Sequence, residues 1–152
     1  ATDGRVAVFT MENRMFYTSL ITTALYDPTK PEHKKPLVTL KLNIQELLDA
    51  IDMVRGYTKH VKLQMKDGIL HVKSLPNPGE EDHEIDIVVE VQEYHGKALC
   101  MCADADKLKK VIRGTENGII GFTKTNVVTH DEIEDVYKIA MLYVSKDTEV
   151  EA

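Results

Sequence analysis

The chain has no apolar run approaching the roughly 20 residues that a membrane-spanning helix needs. Its first residues, ATDGRVAVFT, lack the basic start and continuous apolar core of a secretory signal. These absences point to a cytoplasmic protein with no membrane partner. Cysteine is scarce. Cys100 and Cys102 stand two apart in a strand-like stretch, so they project from one face and make a poor disulfide framework. No second Cys or His pair of suitable spacing completes a metal site, which leaves them as buried structural cysteines. Catalytic signatures are missing too. Gly118 and Gly121 make no phosphate-cradling loop, and no Walker or dinucleotide pattern occurs. Ser19, Ser74 and Ser145 lack the strand-turn-helix setting of a hydrolase nucleophile. The six histidines are scattered, and in His130-Asp131-Glu132 and Asp82-His83-Glu84 neighbouring side chains would point to opposite strand faces. No catalytic residue, metal or cofactor is assigned, and the chain is expected not to be an enzyme.

What is present is an ordinary globular composition: 152 residues, 43% hydrophobic and 29% charged, enough for one domain with a sizeable core. The net charge of −6 argues against nucleic acid covering the whole surface, but not against one basic face binding it. Charge is unevenly placed. Acidic clusters lie at Glu80-Glu81-Asp82, Asp131-Glu132 and Glu134-Asp135, and a basic cluster at Lys107, Lys109, Lys110 and Arg113.

The organising feature is a duplication. Residues 38–73 read strand, helix, strand, tight turn, strand, and a shorter relative begins at Leu99. A shift of 61 positions places Asn43 on Asp104, Ile44 on Ala105, Leu47 on Leu108 and Ile51 on Ile112. Each copy offers a polar helix cap followed by apolar residues at helical spacing. Both helices end in Arg-Gly, and the first runs about one turn longer.

Ahead of the duplication, residues 5–11 and 14–22 read as a hairpin around Glu12-Asn13. The proline-rich stretch 27–36 is a breaker. In the first copy Asn43 caps the helix with Glu46 at the capping-box position. Ile44, Leu47, Leu48, Ile51 and Val54 make one apolar stripe opposite Gln45, Glu46, Asp49 and Asp52. Strands follow around Asp67-Gly68 and through Ile85, Ile87, Val89 and Val91; the second copy repeats the order and ends in an apolar strand from Val136. The predicted class is α+β, two helices on one face of an antiparallel sheet. The expected divisions are an N-terminal β-hairpin packed on the domain (1–26), a linker loop (27–36), a duplicated βαβββ domain (37–146) and a flexible acidic tail (147–152).

That order and its wording resemble the DNA sliding clamps, the polymerase processivity-clamp family. VTLKLNIQELLDAIDMVRG is similar to the strand and helix that open a clamp half-domain, VKLQMKDGILHVKS to the hairpin that follows, and CADADKLKKVIRGTENGIIGF to the opening of the second half. The resemblance covers about residues 37–144 and implies one clamp-like domain. Clamp rings hold six such domains, two or three per chain, so a ring here implies a homo-oligomer. It also implies helices turned toward double-stranded DNA, and a polymerase or other replication protein as partner. Lys107, Lys109, Lys110 and Arg113, with Arg55 and Lys59 at the end of the first helix, are then the candidate DNA-binding residues, touching backbone without reading sequence. The first helix departs from that pattern through Glu46, Asp49 and Asp52. Two readings follow: a clamp-like, DNA-associated accessory protein of replication or repair, or a clamp-fold protein-interaction module with neither ring nor DNA.

Overall fold

The computed structural model describes residues 35–75, 84–142 and 146–152, together with the backbone of 6–11 and 14–19. Asn13, residues 20–34 with most of the predicted linker, and the loop 76–83 with its acidic run lie outside the described residues. β1 (Val6–Met11) and β2 (Arg14–Ser19) pair antiparallel with Met11 opposite Arg14, as expected of the hairpin.

The two copies follow in the predicted order. The first comprises β3 (Val38–Leu42), α1 (Ile44–Arg55), β4 (His60–Lys66), β5 (Ile69–Ser74) and β6 (Asp86–His95). The second comprises β7 (Ala98–Asp104), α2 (Ala105–Ile112), β8 (Ile119–Phe122), β9 (Asn126–Asp131) and β10 (Val136–Met141). A last strand, β11 (Glu149–Glu151), closes the chain.

Local chemistry explains the elements. Asn43 Oδ1 accepts from the amides of Gln45 and Glu46 at 3.0 and 3.4 Å, and Asp104 Oδ1 accepts from Asp106 and Lys107 at 3.0 and 3.1 Å. The equivalent residues thus cap equivalent helices by the same two bonds. At the β4–β5 turn Asp67 and Gly68 both take positive φ, 52° and 78°, the backbone a tight hairpin requires.

Nine strands form one antiparallel sheet in the order β10-β9-β8-β3-β6-β5-β4-β7-β11. The copies exchange their opening strands: β3 pairs with β8 of the second copy, and β7 with β4 of the first. Their registers match. Val38 and Leu40 oppose Phe122 and Ile120, while Met101 and Ala103 oppose Leu63 and Val61. All eight are buried. The exchange needs close backbone approach at Gly118 (φ +69°), where a Cβ would stand 2.7 Å from the Leu42 oxygen. Over this layer sit α1 and α2, side by side, burying Leu47, Ala50, Ile51 and Val54 from one and Ala105, Leu108, Val111 and Ile112 from the other.

One expectation is corrected. The tail assigned to 147–152 as flexible carries β11, which pairs with β7 and places Val150 opposite Leu99 at 4% exposure. The sequence offers one apolar residue among acids there, too little pattern to announce a strand. Cys100 and Cys102 are both buried in β7 and are not joined as a disulfide.

Leu47→Ala is expected to cost about 2–5 kcal/mol in urea unfolding, the range for emptying a packed leucine site. Tyr94 Oη is buried without a hydrogen-bond partner among the described residues. Tyr94→Phe should therefore leave stability unchanged or raise it by up to about 1 kcal/mol, since no bond is lost and a desolvated hydroxyl is removed.

Candidate nucleic-acid interface

The predicted contact residues lie on the two helices and beside their ends, but they are not treated alike. α1 presents Glu46, Asp49, Asp52 and Arg55, and α2 presents Asp106, Lys107, Lys110 and Arg113, all exposed. Ion pairs run between the helices. Lys109 Nζ is bound to Asp52 Oδ1, and Arg55 Nε lies 3.2 Å from both carboxylate oxygens of Asp106. Lys59 Nζ stands 3.7 Å from the capping carboxylate of Asp104. Lys109, Arg55 and Lys59 are thus matched within the domain. Lys107, Lys110 and Arg113 make no ion pair with any described residue. Lys107 and Lys110, three apart, share a helix face.

A further cation joins this end of α2. Lys138 Nζ of β10 donates to the Arg113 carbonyl at 3.0 Å, a favourable place for positive charge at a helix C-terminus. Nothing in the sequence could have named it, because its position depends on β10 pairing with β9 in the register that sets Lys138 opposite Thr129. The face also carries Met53 and Tyr57, 62% and 71% exposed at the end of α1.

Outside this face His71 and His130 are locally paired. His71 Nδ1 lies 3.0 Å from Asp86, which Lys73 also approaches at 3.6 Å. His130 Nε2 lies 2.9 Å from Asp135 while its ring stacks on Tyr137 at 4.0 Å. The triplet at His130 does not converge, since Asp131 Oδ1 accepts from the amides of Ile133 and Glu134. Among the described residues no group of three or more His, Cys, Asp or Glu is arranged to hold a metal. No described helix is long and apolar enough to cross a membrane.

A duplicated βαβββ unit, with exchanged opening strands and two helices side by side on one sheet face, defines the class of this domain. It is the fold of a DNA sliding-clamp domain. The chain is similar to the DNA polymerase III β chain of Streptococcus pneumoniae TIGR4, with a TM-score of 0.62, 19% identity and 95% of the chain covered. It is similar to the H. pylori β clamp in complex with diflunisal (0.63, 17% and 95%) and to the DNA polymerase III β subunit of Thermotoga maritima (0.64, 15% and 95%). The chain spans 41% of the length of each of these. No protein-family model and no curated protein matches it.

Asp104 links this face to stability. Desolvation raises its carboxyl pKa, but hydrogen bonds from the Lys107 and Asp106 amides, with the charges of Lys59 and His60, outweigh it and hold the group below the ordinary aspartate value. A carboxyl depressed in the folded state contributes stability that is fully present above its unfolded pKa and is lost as pH falls through the folded one. Asp104→Ala should cost about 0.5–2 kcal/mol at neutral pH as a lost cap. Asp104→Asn should keep the cap and show a shallower loss of stability on acidification than wild type, read by urea unfolding over an acid pH series.

Proposed function

We propose that the chain is a sliding-clamp-like accessory protein of DNA replication or repair, working in the cytoplasm without catalysis. In this reading Lys107, Lys110 and Arg113 touch the backbone of double-stranded DNA. The observation that carries it is a clamp fold whose second helix presents three cations with no acidic partner among the described residues. Lys109, Arg55 and Lys59 belong to the same face but contribute less, because DNA would have to compete with Asp52, Asp106 and Asp104 for them. Lysine is a mobile point charge, so the contact adds affinity and no sequence preference. A polymerase or another replication protein is the expected partner, and encircling DNA would need several copies of the chain.

The second reading, a clamp-fold protein-interaction module, is favoured by one specific feature. The acids of α1 nearly cancel the cations of α2 on the helix face, and Met53 and Tyr57 add exposed apolar surface there. A neutral, partly apolar face suits a protein better than a phosphate backbone.

Fluorescence anisotropy on two unrelated duplexes across a salt series separates the readings. Replacing Lys107 and Lys110 by Glu should weaken both duplexes alike and reduce the slope of log affinity against log salt by about two, one for each lost phosphate contact. Asp49→Asn with Asp52→Asn should instead strengthen binding several-fold, by lifting repulsion and freeing Lys109. If the wild type shows no binding at low salt, the DNA reading is lost and the interaction module stands. Binding untouched by the lysine reversals would place the contact on another face.

A further inference from the structure

We propose that a notch between the α2–β8 turn and the β9–β10 hairpin docks a basic peptide segment of a partner protein, receiving one arginine or lysine side chain. The notch encloses about 270 Å³. That is at the low end for pockets that hold whole ligands, and suits one long side chain. One wall is Thr115, Glu116 and Asn117, and the other is Glu132, Ile133 and Val136.

Charge selects the occupant. Five carboxylates belong to the turn and the hairpin: Glu116, Asp131, Glu132, Glu134 and Asp135. Asp131 is spent on the amides of the hairpin turn, and Asp135 on His130. Glu116 and Glu132 are exposed, line the notch and bond to no described residue. Lys138, which also lines the notch, is tied to the Arg113 carbonyl at 3.0 Å. Two carboxylates lining one cleft, with no partner among the described residues, attract a guanidinium or an ammonium. The same field repels a nucleic acid backbone, so the ligand is a protein segment.

Apolar surface fits the stem of such a side chain. Ile133 is 84% exposed in an otherwise charged hairpin loop, and Val136 is 43% exposed. Arginine and lysine cover apolar surface with their methylene stems while the head stays polar. Beyond the shared Asn117, His130 and Glu132, a second cleft of about 220 Å³ opens on the outer sheet face along Ile119, Val128 and Tyr137. The stacked rings of His130 and Tyr137 stiffen the ridge between the two. A segment with a basic residue followed by an apolar or aromatic one would fill both. This docking does not depend on the DNA reading, which uses Lys107, Lys110 and Arg113.

The test uses the full chain and a fluorescein-labelled peptide of Gly and Ser with Arg-Ile-Phe at its centre, and a control with Glu in place of Arg. The Arg peptide should bind and the Glu peptide should not. Glu116→Gln with Glu132→Gln should weaken the Arg peptide by about tenfold or more, the loss expected for charge-assisted hydrogen bonds, while the Lys107 and Lys110 reversals leave it unchanged. Amide chemical shifts of the wild type should move within residues 114–138 when the peptide is added. The proposal is overturned if the wild type does not bind the Arg peptide, if the Glu peptide binds equally, if the Gln variant binds as wild type does, or if the shifts map elsewhere.

Discussion

The exchange of opening strands is the constraint on which the rest of the structure depends. β3 pairs with β8 of the second copy and β7 with β4 of the first, so the two copies share one continuous sheet. The helices are short, 12 and 8 residues, and helices of that length are marginal in isolation. They persist because Leu47, Ile51, Leu108 and Ile112 are buried against the sheet, α1 over β4, β5 and β6 and α2 over β7, β9 and β10. Folding of the two copies should accordingly be one cooperative event, despite the repeat in the sequence.

The pseudo-symmetry is broken at one place, and the break shapes the surface. β3 has a second neighbour in β6, where Lys41 and Glu93 also form an ion pair at 3.1 Å. The symmetric partner for β7 would be β10, but β11 occupies that edge instead. β10 therefore has β9 as its single strand neighbour among the described residues. That arrangement sets Lys138 under the end of α2 and lines the β9–β10 hairpin up against the α2–β8 turn. Cationic and acidic features thus come to opposite sides of one helix end.

Much of this was legible in the sequence. Alternation along β3, β4 and β7, the caps Asn43 and Asp104, the Asp67-Gly68 turn and the buried helix stripes all follow from residue type and local spacing. The features that decide the interface did not. Asp52 meets Lys109 and Arg55 meets Asp106 across more than fifty residues of chain, and only the lateral packing of the helices brings them together. The acidic stripe on α1 was visible as a departure from a basic DNA-facing helix; that it cancels cations on α2 was not. The strand at Glu149–Glu151 was equally hidden, because a single buried valine between exposed glutamates carries no period.

In the function proposed above, a clamp-fold domain that spans 41% of the length of the Streptococcus pneumoniae chain would act on DNA as an assembly of several copies. Static light scattering of the full chain, with and without a linear duplex at low salt, decides whether copies assemble. The expected result is a mass of several chains, either in the protein alone or once duplex is added, together with co-elution of DNA and protein. A single-chain mass that duplex leaves unchanged, with DNA eluting alone, would contradict it.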